Sequence, residues 1–275
     1  MSAPGAGGDW LRRARPLLGT LVEVGIRPDE LRTEDAIRSV FDTVADVQAC
    51  LSRFEPASEV SRFHALRAGS GMQIGRHAQH VLCAARILQA ESGGVFDVTL
   101  GTAPDGWTVE ASTWLKTSDE ARVDLGGIAK GYAVDLAIQA LMDRGCAAGW
   151  VNAGGDIRVF GDVDLPVSIR DEQAGGVQRF ATIRDGAFAT SHFDSHSRSQ
   201  AAATGPVRAH VSVAAPSCLW ADALTKVVAI TGDTAHPCLA LHGARAWIHS
   251  NHSVSDLTCR TASSACLSGN GSRSS

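Results

Sequence analysis

The sequence predicts an α+β domain, and three observations carry that reading. Apolar residues recur at helical spacing in several separate stretches, short β-rich segments follow one another in a block, and the two kinds are grouped rather than strictly alternating. Grouping of this kind favours an antiparallel sheet with packed helices over a doubly wound parallel one.

Taken in order, "LLGTLVEVGI" (17–26) has the alternation and β-branched content of a strand. Ile37, Val40, Phe41, Val44, Val47 and Leu51 then form one apolar helical stripe, ending near "LSRFEPASE", where Pro56 breaks the pattern. A second helix is expected over 78–92, stopped by Gly93 and Gly94, and the loop "GGVFDVT" follows. "ARVDL" reads as a strand, turned by Gly126 and Gly127 into a third helix that carries Ile128, Tyr132, Leu136, Ile138 and Leu141 as far as Gly145. Strands are expected at 149–152, 157–160, 167–170, 180–184, 187–190 and 209–215, then a last helix over 221–230 and a strand over 244–248. Residues 1–15 read as a flexible N-terminus, 16–250 as the domain and 251–275 as a Ser-rich disordered tail.

Composition narrows the function classes. With 275 residues, 44% of them hydrophobic and 20% charged, and a net charge of -4, the chain buries a sizeable core and offers no basic footprint for nucleic acid. No apolar run approaches the ~18 residues of a membrane span, and the first residues lack the apolar core of a signal peptide, so a soluble cytoplasmic protein is expected. The 7 cysteines are scattered and odd in number, which argues against a disulfide framework or a structural zinc site.

The chemistry concentrates in "VDLGGIAKGYAVD". A Gly126–Gly127 turn into a helix presents unpaired N–H groups with partial positive charge, where a phosphate can sit, and Lys130 adds a point charge one turn in. Asp124 is placed to orient the loop or accept from a ribose or ring N–H. By spacing alone the stretch serves equally as an ordinary strand-to-helix turn, with Lys130 solvated and Asp135 on the wet face. Two further Gly-plus-Asp loops have the same character: "VNAGGDIRVFG", with Asn152, Gly154, Gly155 and Asp156, and "GGVFDVT", with Phe96 and Asp97. In "ADALTKVV", Asp222 and Thr225 stand three apart on a helix, which sets two oxygens on one face; this is a hard-cation pattern or, as readily, a back-bonded hydroxyl.

In order, "LLGT", "LSRFEPASEVSRFH", "GGVFDVT", "VDLGGIAKGYAVD", "VNAGGDIRVFG", "FATS" and "ADALTKVV" resemble the successive motifs of the ApbE-like FAD:protein FMN transferases. That resemblance implies an α+β fold with FAD in a cleft and Mg²⁺ at its pyrophosphate. It implies transfer of FMN to a Thr or Ser hydroxyl of an acceptor flavoprotein with release of AMP. It assigns FAD contacts to Gly19, Thr20, Phe96, Asp97, Asp124, Gly126, Gly127, Lys130, Asn152, Gly154, Gly155, Asp156 and Ser191, and metal ligation to the Ala129 carbonyl, Asp222 and Thr225.

The chain also departs from that pattern. A His-Ile-x-Asp-Pro-x-Thr-Gly block is reduced to Thr204 and Gly205, leaving His192 and His196 as candidate bases. The position four after Asp222, a hydroxyl in the commoner form, is Lys226, so either Thr225 substitutes or the Lys226 ammonium stands in the metal's place. Two other functions stay open: an FAD pyrophosphatase yielding FMN and AMP, and a non-catalytic FAD-binding protein.

Overall fold

A computed structural model describes residues 10–28, 33–170, 176–193 and 209–249. The tail expected over 251–275, His196, Thr204 and Gly205 lie outside the described residues.

A seven-stranded antiparallel sheet forms the centre, in the order β1 (Leu11–Leu17), β2 (Thr20–Ile26), β6 (Gly149–Ala153), β7 (Asp156–Phe160), β10 (Gly186–Phe193), β11 (Ala209–Ala215) and β12 (Arg245–His249). One face carries the helices α1 (Thr33–Leu51), α3 (Arg76–Glu91), α4 (Ala129–Asp143) and α5 (Cys218–Thr231). A hairpin of β8 (Leu165–Arg170) and β9 (Val177–Ile183) covers the other face. Smaller pieces are α2 (Glu59–Ala65), α6 (Pro237–Leu241) and a three-stranded sheet of β3 (Ser70–Gln73), β5 (Thr113–Lys116) and β4 (Trp107–Glu110).

The period of two along each strand explains why the central strands are apolar on both sides. In β6, Val151 and Ala153 join the core under the helices, whereas Trp150 joins the second core under the hairpin. In β10, Ala187, Ala189 and Phe193 face the helices, and Phe188 faces away. In α1, every apolar residue of the expected stripe, from Ile37 to Leu51, is buried.

Four sequence expectations change. The single strand over 17–26 is a hairpin, because Leu18 (φ 55°) and Gly19 (φ 70°) turn the chain between β1 and β2. Residues 11–15, expected to be flexible, therefore form an edge strand paired with β2. "ARVDL" is extended but lies in no sheet: Val123 N donates to His64 Nε2 at 2.9 Å and Asp124 N to the Val98 carbonyl at 2.7 Å, so a side chain and a loop replace a strand partner. α1 ends at Leu51, ahead of Pro56, and just beyond that proline the chain re-enters a helix, α2, because the Ser58 hydroxyl caps it by accepting from Ser61 N at 3.0 Å.

Candidate functional site

The site forms where the start of α4, the body of α5, the end of β10 and the β6–β7 turn converge. Pairing sets Ala187 beside Arg158 and Ala189 beside Asp156, so both charged residues of β7 point into the helix layer. There Asp156 meets Lys130 and Arg158 meets Asp135, both on α4. The alternation of "DIRVF" thus presents Asp156 and Arg158 together on the face of β7 that α4 covers.

Two buried carboxylates and two lysines form the centre. Lys130 Nζ contacts Asp156 Oδ2, and Lys226 Nζ contacts Asp222 Oδ1. Lys226 also donates to the Asp222 carbonyl at 3.0 Å and to Ser191 Oγ at 3.2 Å. Thr225 Oγ1 donates to the same carbonyl at 2.6 Å and lies 3.0 Å from Ser191 Oγ. The second Asp222 oxygen accepts from Gly131 N at 3.2 Å.

These contacts separate the two acids. Burial pushes Asp222 up, but Lys130 and Lys226 outweigh it and hold this carboxyl below its ordinary range. Burial and the neighbouring Asp222 charge push Asp156 above its ordinary range, against the pull of Lys130. One Asp156 oxygen, Oδ1, is buried with no hydrogen-bond partner among the described residues. Lys130 is held charged: burial opposes its ammonium, and Asp156 and Asp222 overcome that cost.

A cleft of about 500 Å³ opens over this centre, bounded by Arg53, Phe96, Gly127, Lys130, Ser191 and Lys226 among others. A second cavity of about 340 Å³ adjoins it, with walls that include Leu18, Gly19, Val47, Leu51 and Leu125. Arg53, Phe54, Asp124, Gly126 and Lys130 border both, so two cations stand at the junction of two compartments. Both volumes fall within the roughly 300–1,000 Å³ usual for small-ligand sites.

Most of the expected binding residues gather here, with different tasks among them. Phe96, Asp97, Asp124, Gly126, Gly127, Lys130, Gly154 and Ser191 line the larger cleft, and Gly19 the smaller cavity. Asp97 accepts from Thr99 N and Gly101 N, both at 2.8 Å, and so holds its own loop. Asp124 does the same for the opening turn, accepting from Gly126 N at 2.9 Å while pairing with Arg53 at 3.3 Å. Asn152 faces away from the helices: it donates to Glu23 at 3.0 Å and accepts from Gly155 N at 3.0 Å, shaping the β6–β7 turn rather than touching the cleft. Thr20 packs over Gly154, where a Cβ would fall 3.0 Å from the Thr20 Cβ. His192 borders the cleft, but alternation takes its ring to the other side of β10 from Ser191, where it lies 4.4 Å from the His210 ring.

The start of α4 differs from the expected amide cradle for phosphate. Ile128 N and Ala129 N donate to the Leu125 carbonyl, Gly126 N to Asp124 and Gly131 N to Asp222. These donors are engaged inside the protein, and Arg53, Lys130 and Lys226 bring positive charge to the cleft.

The expected metal set also meets an obstacle. Ala129 begins α4 and borders the smaller cavity, Thr225 is back-bonded to its own helix, and Asp222 is already shared between Gly131 and Lys226. Among the described residues no three His, Cys, Asp or Glu side chains converge as a metal cluster. At ~4 Å and an effective dielectric of ~20, each pair of like unit charges costs about 4 kcal/mol, and a dication beside the ammonium would incur about twice that. With Lys226 in this position the residues present do not fit a divalent metal.

Three residues of the arrangement escape a reading of the sequence for binding. Asp135, on the wet face in one of the two readings of its stretch, is mostly buried and accepts from Cys218 N and Leu219 N at 2.8 and 2.9 Å, capping α5. Arg53 and Phe54, which follow the end of α1, stand at the cavity junction with Phe54 73% exposed. An arginine beside an aromatic in a loop was the available signal for the last two; Asp135 offered none.

Sheet, helix layer and cation-lined double cleft define an α+β domain with two adjoining cavities at one end of its central sheet. A sequence profile of the ApbE family matches residues 18–120 and 108–247, and the chain belongs to that family. It is 26% identical over 204 residues to an FAD:protein FMN transferase of Rhodobacter capsulatus, covering 62% of this chain and 39% of the relative. Its identity to an FAD:protein FMN transferase of Vibrio cholerae is 24% over 177 residues, 53% of each chain. The chain therefore spans about half or less of these relatives' lengths. In fold it is similar to the flavin transferase ApbE structure from Vibrio cholerae, with a TM-score of 0.75 at 21% identity, covering 87% of this chain and 93% of that one.

Proposed function

We propose that this chain binds FAD across the two adjoining cavities and transfers its FMN moiety to a hydroxyl of an acceptor protein, releasing AMP. The observation that carries the reading is the pair of compartments sharing Arg53 and Lys130 at their junction. A dinucleotide has two flat ring systems joined by a diphosphate, and this cleft offers two chambers joined by cations. The transferase names of the two sequence relatives support the same reading.

In the reaction the acceptor oxygen forms a bond to the flavin-side phosphorus, the bridging P–O bond breaks, and AMP leaves with the electron pair. The hydroxyl proton passes to a base, for which His192 at the cleft border is the candidate within the described residues. Phosphoryl transfer of this kind rests mainly on positioning and charge stabilisation. Lys130 and Arg53 are placed to meet the phosphate oxygens, and the exposed Phe54 ring offers a face for a flat heterocycle. The magnesium implied by family resemblance receives no step, because Lys226 holds the Asp222 carboxylate.

The test is incubation of the purified chain with FAD and an acceptor domain carrying a target Thr or Ser. AMP release together with an FMN-sized mass increase on the acceptor is the expected result. AMP without an adduct would instead identify a pyrophosphatase, and bound FAD with neither product would identify a binding protein.

A further inference from the structure

Lys226 is placed by contacts on three sides. Its stem lies against Gly127, where an added Cβ would meet Lys226 Cε at 3.3 Å and Cγ at 3.6 Å. Its ammonium is enclosed by Asp222 Oδ1, the Asp222 carbonyl at 3.0 Å and Ser191 Oγ at 3.2 Å, and the side chain is only 9% exposed. The remaining exposure opens into the larger cleft. Lys226 and Lys130 against Asp222 and Asp156 also make a quartet that is formally neutral without an added cation. The bare backbone of Gly127 thus lets the Lys226 stem pack closely beside the turn.

We propose that the Lys226 ammonium, held by the Asp222 and Ser191 oxygens, is the resident cation of this cleft in place of a divalent metal at Asp222, so that the chain holds a ligand diphosphate without divalent metal. This rests on the flavin reading for the identity of the dinucleotide, but not for the cation itself. A tethered ammonium supplies three N–H donors and one charge at a fixed place. Its attachment to α5 makes it proof against chelation.

The experiment is calorimetric titration of the full chain with FAD, and separately with inorganic pyrophosphate, in EDTA or in excess Mg²⁺. The wild-type dissociation constant is expected to differ by less than twofold between the two conditions. Lys226→Thr, its fold checked by circular dichroism, is expected to bind at least tenfold more weakly in EDTA and to recover in Mg²⁺. Wild-type binding that tightens tenfold or more with Mg²⁺ overturns the proposal without need of any variant, as does Lys226→Thr binding like wild type in EDTA. Pyrophosphate separates the two readings. Retention of pyrophosphate in EDTA by wild type but not by the variant, with no FAD bound, supports the cation assignment and removes the flavin one. Failure of wild type to bind either ligand in EDTA overturns the assignment.

Discussion

The Asp135 carboxylate, in the second turn of α4, accepts hydrogen bonds from Cys218 N and Leu219 N at the start of α5. Arg158 of β7 holds the same carboxylate at 2.5 Å, so one side chain joins two helices and the central sheet. Lys130 and Lys226 stand on those two helices, and their separation therefore depends on this joint.

Replacing Asp135 by Ala removes the cap and leaves Arg158 without its partner, and a loss of about 2–4 kcal/mol is expected. Asp135→Asn should cost less, since burial already raises this carboxyl above its ordinary range and an amide oxygen still accepts from the helix. Urea unfolding of both variants measures the difference; equal losses would argue against the capping role.

Gly131 is where α4 and α5 come closest. A Cβ there would overlap the Cys218 carbonyl and fall 2.9 Å from Asp222 Cβ, both belonging to α5. Gly131→Ala should force the helices apart and lower stability by about 1–3 kcal/mol, despite the better helix propensity of Ala. An unchanged or raised melting temperature would contradict the close packing.

Lys130→Gln keeps a donor for Asp156 but loses the charge facing the cavity junction. FAD affinity is expected to fall about tenfold or more, equivalent to about 1.4 kcal/mol. Fluorescence titration with FAD would return Lys130 to a purely structural role if the affinity held.

His249 bonds Ser212 at 2.8 Å and sets its ring edge-on to Phe180, and burial, with a contribution from His210, pushes it down to about 4. A lowered folded value means that the unfolded chain takes up the proton first as pH falls. Stability from this group is therefore full above the ordinary histidine value of about 6.5 and is lost as pH falls towards 4. Melting temperatures measured across that window should fall more steeply for wild type than for His249→Gln, and parallel curves would refute the assignment.

The sequence carried a good deal of this protein by itself. Helical stripes such as Ile37 to Leu51 and the alternation of β6, β7, β10 and β11 follow from local periodicity, which burial on one or two faces imposes directly on neighbouring residues. The ordered Gly-plus-Asp motifs likewise identify the family, because backbone turns of that kind admit few residue types. Where the side chains of those motifs point was decided only by the tertiary structure. Asn152 turned from the cleft because sheet pairing put it on the face of Glu23. Asp135 turned inward because its partners lie in β7 and α5. Helical spacing alone sets Lys226 beside Asp222, but only packing brought Gly127 and Ser191 from separate elements around the same ammonium, a convergence that no local spacing encodes.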